Sequence, residues 1–203
     1  MSISKEKIEQ AKDVFRKQGG ILRTSDVLKE GIHPRTLYTM RDLGELEVLC
    51  RGIYRLAELE PLDQQDLVTV ASNVRSGVIC LISALSYYEI TTQIPHEVYM
   101  AINRTAAYPK LNYPPTRFFR FSGDAFRAGI EIHKISGVDI KIYSPEKTVA
   151  DCFKYRNRIG LDVAIEALKF WRKKKNPRID KLIECAKICR VYNVIKPYAE
   201  AMI

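Results

Sequence analysis

A chain of 203 residues, 46% apolar and 28% charged, has the makeup of a soluble globular protein with room for one large or two small domains. Its longest apolar run, Gly77 to Ile82, falls far short of the ~20 residues that span a bilayer, and the polar start Met1–Lys7 lacks the apolar stretch of a secretion signal. A cytoplasmic protein is expected, and the net charge of +9, heaviest over residues 145–203, favours an anionic partner and salt-sensitive association.

Ser4 is placed to cap a helix running to about Gln18, with Ile8, Ala11, Val14 and Phe15 on one face and Gly19-Gly20 at its end. Ile21-Leu22-Arg23 is too short for a helix and suits a small strand that pairs with a later hairpin. Thr24-Ser25-Asp26 is an N-cap cluster for a second helix, Ser25 to Glu30, burying Val27 and Leu28 and stopping at Gly31. Pro34 suits the first position of a third helix and Gly44 the residue past its end. Leu37, Met40 and Leu43 recur at helical spacing as its buried face, which leaves Arg35, Thr36 and Thr39, with Tyr38 and Arg41, on the open side. A hairpin follows over Glu45–Leu56, turning at Arg51-Gly52.

Three helices, a short strand and a hairpin in this order predict a winged helix-turn-helix. The third helix would enter the major groove. Arg35, Thr36 and Thr39 would meet base edges or adjacent phosphates, Tyr38 and Arg41 would lie beside them, and Arg51 and Arg55 would hold the backbone. The plainer alternative is an ordinary helix and hairpin in a small α/β unit.

Glu58 to Gln65 is polar and reads as a linker or as a cap into the next helix, and the expected division is 1–62 for the DNA-binding domain and 63–203 for a mixed α/β second domain. In that second domain Asp66–Asn73 reads as a helix with Leu67, Val70 and Ala71 on one side. Val78–Ile82 reads as a buried strand or helix start, and Ser83 as the cap of a helix over Ala84–Glu89. Strands are expected at Glu97–Ile102 and Arg117–Phe121, separated by a proline-broken loop over Tyr108–Pro115. A hairpin spans Ile130–Tyr143 about Ser136-Gly137, with Ile130, Ile132, Val138, Ile140 and Ile142 on the apolar face. Its polar face carries Glu131, His133, Asp139 and Lys141. Ser144 caps and Pro145 begins a helix in which Glu146 complements the dipole. Helices then run over Thr148–Arg158, Leu161–Lys175 and Ile179–Ala201, the last broken near Pro197. The fold class is α+β, ending in helices.

Signals for catalysis are sparse. Asp139-Ile140-Lys141 matches half of a nuclease-type metal site, with Asp124 or Glu131 as a second acid, but the same residues suit ordinary cross-strand charge pairs. Asp-x-Asp, Walker and GxSxG patterns are absent from the sequence, so no catalytic residue and no enzyme activity is expected. Five cysteines, an odd number with no CxxC, argue for reduced buried thiols. With His33, His96 and His133 far apart, neither a metal nor a cofactor is expected. The basic run Arg172-Lys173-Lys174-Lys175 and the cluster Lys154, Arg156 and Arg158 read first as helix-end compensation and solvated faces, and second as phosphate or acidic-partner contacts.

Two stretches carry a family resemblance. The runs Gly19–Asp26 and Gly31–Tyr38 with the wing Arg51–Arg55 resemble the winged-helix domain of AbiEi-type antitoxins. Tyr143–Cys152, within which lie Ser144, Pro145, Glu146, Lys147, Thr148 and Asp151, resembles a signature of that family's second domain. The resemblance implies a type IV toxin–antitoxin protein linked to phage resistance. Its N-terminal domain would bind inverted repeats in double-stranded promoter DNA and repress its own operon. Its second domain would counter a nucleotidyltransferase-like toxin, generally without a stable complex. Two copies on the repeats, as a dimer or as cooperative monomers, would follow from the few base pairs one winged helix reads. The alternative is a protein-interaction module without sequence-specific DNA binding, and behind it a metal-dependent nuclease.

Overall fold

The computed structural model describes residues 3–201. It divides into two compact units, residues 3–73 with 133–140, and residues 74–132 with 141–201.

In the first unit, helix α1 (Lys5–Lys17) starts at Ser4, whose hydroxyl accepts from the Lys7 N–H. Strand β1 (Ile21–Arg23) forms, and helices α2 (Thr24–Lys29) and α3 (Pro34–Asp42) follow. The wing is β2 (Leu46–Cys50) and β3 (Ile53–Leu56). The sheet order is β1-β3-β2, antiparallel throughout, so the short strand closes the hairpin against the helices. Ala11, Phe15, Val27, Leu37, Met40, Leu46, Tyr54 and Leu56 form the core. Full burial of a Leu or Met side chain stabilises by about 1.5–3 kcal/mol. Helix α4 (Gln65–Asn73) ends the continuous part of this unit.

Local detail departs from the sequence reading at three places here. Thr24 lies inside α2 rather than capping it, and its N–H (2.9 Å) and hydroxyl (3.4 Å) both donate to the Gly52 carbonyl in the wing turn. Leu28 is exposed, because α2 is too short for both apolar residues to face inward. Leu43 is 62% exposed as the C-cap of α3, because at about 100° per residue it lies about 120° round the helix from Leu37, off the buried stripe.

Apart from the hairpin tip at 133–140, the second unit is built on a sheet ordered β6-β5-β4-β8-β7, from β4 (Val78–Ile79), β5 (Val98–Asn103), β6 (Thr116–Phe121), β7 (Ile130–Ile135) and β8 (Val138–Tyr143). Strand β5 pairs parallel with β6 and antiparallel with β4, and β4 pairs parallel with β8. Helix α5 (Leu81–Tyr87) follows β4. Helices α7 (Pro145–Lys154), α8 (Arg156–Ile159), α9 (Leu161–Lys173), α10 (Ile179–Ile188) and α11 (Tyr192–Glu200) close the chain, and α7 packs against α5, α9, α10 and α11.

Several expected boundaries move. Ser83 sits within α5 instead of capping it, and its hydroxyl accepts from the Tyr99 N–H at 2.9 Å, pinning helix to strand. A short helix α6 (Asp124–Arg127) occupies a stretch with no periodic signal. Ile132 is 67% exposed, so the hairpin's apolar face is carried by Ile135, Ile140 and Ile142. The helix expected over 148–158 breaks at Tyr155 into α7 and α8. The last helix breaks at Cys189–Val191, where Arg190 has φ +59°, and Pro197 is accommodated inside α11.

Candidate nucleic-acid interface

Helix α3 is held at both ends. Pro34 occupies its first turn, and His33 Nδ1 accepts from the Arg35 N–H at 3.1 Å, satisfying an amide that would otherwise lack a helical partner. Leu37 and Met40 are fully buried and hold the inner face against α1. Arg35, Tyr38 and Arg41 are exposed on the remaining circumference, with Thr36 and Thr39 half-buried beside them. Arg41 bonds Asp42 at 2.6 and 2.8 Å and lies 5.3 Å from the Tyr38 ring centroid, so its guanidinium is steadied over the aromatic face.

The wing turns at Arg51-Gly52. Gly52 has φ +78°, a left-handed conformation that costs a glycine little and strains other residues, and Arg51 is exposed at the tip. The register shifts between Val48 and Cys50, a bulge that increases local twist. Arg55 departs from the expected set. It is 3% exposed, bonds Glu47 at 2.8 Å and donates to the Glu60 carbonyl, while its Nε has no hydrogen-bond partner among the described residues. All four residues of β3 are buried, because this strand is central in its sheet and covered by helices, so Arg55 holds the domain together and does not reach outward.

The domain's flank is braced by charges. Lys12 reaches Glu45 (2.9 Å) and Glu58 (2.8 Å), and Arg16 reaches Glu58 (2.9 Å), Glu9 and Asp13 (both 2.7 Å). The hydrogen bonds from Arg16 and then Lys12 lower the Glu58 carboxyl to about 2. Glu58, the first residue of the polar linker, is thus tied back onto α1.

The Ser144–Asp151 run forms a buried polar cluster rather than an open site. Ser144 accepts from the Lys147 N–H at 3.3 Å, and Thr148 donates to the Tyr143 carbonyl at 3.1 Å. Lys147 and Asp151 point into the core, Nζ to Oδ2 2.5 Å, one turn apart on α7. The Lys147 ammonium also lies 4.1 Å from the Tyr143 ring centroid and 4.9 Å from that of Phe121. Cys189 donates to the second Asp151 oxygen at 3.3 Å. Burial opposes the Lys147 charge, but the adjacent carboxylate outweighs it and keeps the amine protonated. Glu146, in the first turn of α7 where it complements the dipole, is also buried and accepts from Arg178 (3.1 and 3.4 Å) and Trp171 Nε1 (3.4 Å). Spacing i, i+4 could have suggested the Lys147–Asp151 pair. No sequence signal marked Cys189 as a partner of that pair, or Arg178 and Trp171 as partners of Glu146.

The Asp139-x-Lys141 pair lies on exposed positions, and Lys141 donates to the Arg75 carbonyl at 3.3 Å. Among the described residues no group of three or more His, Cys, Asp or Glu side chains is arranged to hold a metal ion. The described cysteines are free thiols, four of them buried. Burial pushes the Cys80, Cys152 and Cys189 thiols well up, which favours their protonated form. No described helix is long and apolar enough to cross a membrane.

Residues 9–57 match the model of a family described as transcriptional regulator, AbiEi antitoxin. No curated protein matches the sequence. Three solved chains match. One is the crystal structure of RV2827C protein from Mycobacterium tuberculosis, with a TM-score of 0.57 at 10% identity, covering 98% of this chain and 82% of that one. At that identity the likeness is one of fold. The match over 9–57 runs from within α1 through α3 and the three-stranded sheet, so the similarity to the AbiEi antitoxin transcriptional regulators lies in this N-terminal domain.

Proposed function

We propose that this chain is a non-enzymatic, DNA-binding antitoxin that represses a type IV toxin–antitoxin operon by binding inverted repeats in its own promoter, and that it counters a nucleotidyltransferase-like toxin without a stable complex. On this reading residues 1–62 bind DNA and residues 63–203 carry the antitoxin role. The observation that supports it most is the outward face of α3, where Arg35, Tyr38 and Arg41 are exposed with Thr36 and Thr39, in the domain whose sequence matches the AbiEi regulators. A helix presenting cations and hydroxyls, with an exposed arginine at the tip of a two-stranded wing, suits major-groove entry with backbone contact from the wing. Arg35, Thr36 and Thr39 are assigned to base edges or neighbouring phosphates, Tyr38 and Arg41 to the flanking backbone, and Arg51 to the wing's phosphate contact. Arg55 is left out because it is buried.

Footprinting of the upstream promoter tests this directly. Wild type should protect paired half-sites about one helical turn, or a multiple of it, apart. Arg35→Ala should lose the protection, and equal protection by both proteins would remove Arg35 from the reading role. A gel shift with no preference for promoter over random duplex would favour the interaction-module alternative. Co-expression with an adjacent nucleotidyltransferase-like reading frame tests the antitoxin half, with rescue of growth as the expected result.

A further inference from the structure

From Val98 to Gly123 the sequence carries Arg104, Lys110, Arg117 and Arg120 and no aspartate or glutamate. The structure gathers part of this cationic stretch around exposed aromatic rings. Tyr108, 57% exposed, stands edge-on to Phe118 with ring centroids 5.6 Å apart. Arg120 lies 5.2 Å from the Tyr108 centroid and donates to the Arg104 carbonyl. Its guanidinium is therefore held in place by a ring and a backbone oxygen, with no ion pair to neutralise it among the described residues. Tyr113, 60% exposed, and Lys110 belong to the same loop, where Pro109, Pro114 and Pro115 restrict the backbone in advance of any binding.

The edge of β6 narrows the choice of partner. Tyr108 donates its hydroxyl to the Phe118 carbonyl (3.4 Å) and Tyr155 donates to the Arg120 carbonyl (3.0 Å). Both hydroxyls occupy acceptors on an edge strand that an incoming peptide strand would need. What stays available is a rigid aromatic face flanked by unneutralised cations. That combination suits unpaired nucleotides, whose bases stack and whose phosphates are anionic. A paired duplex keeps its base faces stacked inside and offers only phosphates to such a surface.

We propose that the Tyr108–Phe118–Arg120 surface binds single-stranded nucleic acid, with an unpaired base stacked on Tyr108 and the phosphates held by Arg120, Arg104 and Lys110. This site is separate from the duplex-reading role assigned to α3 and does not depend on it.

The test is fluorescence anisotropy of the full chain with a short labelled oligouridylate, at several salt concentrations. Wild type should bind with an affinity that falls as salt rises. Tyr108→Ala and Arg120→Ala should each weaken binding about tenfold, and Tyr108→Phe, which keeps the stacking face, should retain it. Thermal melts should confirm that these exposed-site variants fold as wild type does. The oligouridylate titration is read independently of promoter footprinting, so failure here and failure of the α3 reading are distinguishable. The proposal is overturned if Tyr108→Ala binds as tightly as wild type, if an abasic sugar-phosphate strand binds as tightly as the oligouridylate, or if polyglutamate displaces the oligonucleotide at equal charge concentration.

Discussion

Lys147 Nζ lies 2.5 Å from Asp151 Oδ2, with both side chains buried in the second unit and the ammonium facing the rings of Tyr143 and Phe121. A buried pair of this kind is costly to break from one side, because the remaining charge has no water and no counterion. Asp151→Ala should therefore destabilise the chain by about 3–5 kcal/mol in urea unfolding. The double variant Lys147→Met with Asp151→Leu should regain most of that loss. A double variant as unstable as the single one would show that packing, and not the stranded charge, sets the cost.

Gly129 guards the same cluster from the outside. It has φ +68°, and a Cβ there would meet the Lys147 Cβ at 2.6 Å, while its carbonyl accepts from the Ser144 N–H at 2.7 Å. Gly129→Ala combines left-handed strain with a clash against a buried, pinned residue. It should cost more than about 1 kcal/mol. A melting temperature unchanged from wild type would contradict that expectation.

Arg51 and Arg55 stand four residues apart and should behave oppositely. Arg51→Ala should leave the thermal melt unchanged and reduce the salt slope of promoter binding by about one. Arg55→Met removes the bonds to Glu47 and the Glu60 carbonyl. It should cost about 1–3 kcal/mol of stability and leave the salt slope unaltered wherever the variant is folded. Denaturation and salt-titrated gel shifts on both variants separate the two roles.

Acid should loosen the first unit through Glu58. Its carboxyl, ordinarily near 4.5, is lowered to about 2 by hydrogen bonds from Arg16 and Lys12. A depressed carboxyl contributes its stabilisation above the unfolded value, so this contribution is complete above about 4.5 and is lost as pH falls towards about 2. The side chain is 38% exposed, so solvent screening keeps the effect small. Glu58→Gln should destabilise at neutral pH, and the gap to wild type should close across that interval. A gap independent of pH would assign the effect to lost hydrogen bonding alone.

The sequence by itself determined the order of elements in the winged domain and the orientation of α3. Ser4 acts through a hydroxyl that reaches an amide three residues on, Pro34 and Gly52 through their own backbone conformation, and Leu37 and Met40 through helical spacing, so neighbours in the chain suffice to place them. Residues at element ends were misplaced because their fate depends on a partner distant in sequence. Thr24 looks like a cap but bonds Gly52, and Ser83 looks like a cap but bonds Tyr99. Arg55 shows the same limit most plainly. A hairpin arginine reads as exposed until the pairing of β1 makes its strand central and covers it. Spacing placed Lys147 and Asp151 one turn apart, but only the packing of α7 among sheet and helices decided that both charges are buried and must hold each other. Local backbone preference acts within a few residues, whereas burial and charge pairing are set by which surfaces the folded chain brings together.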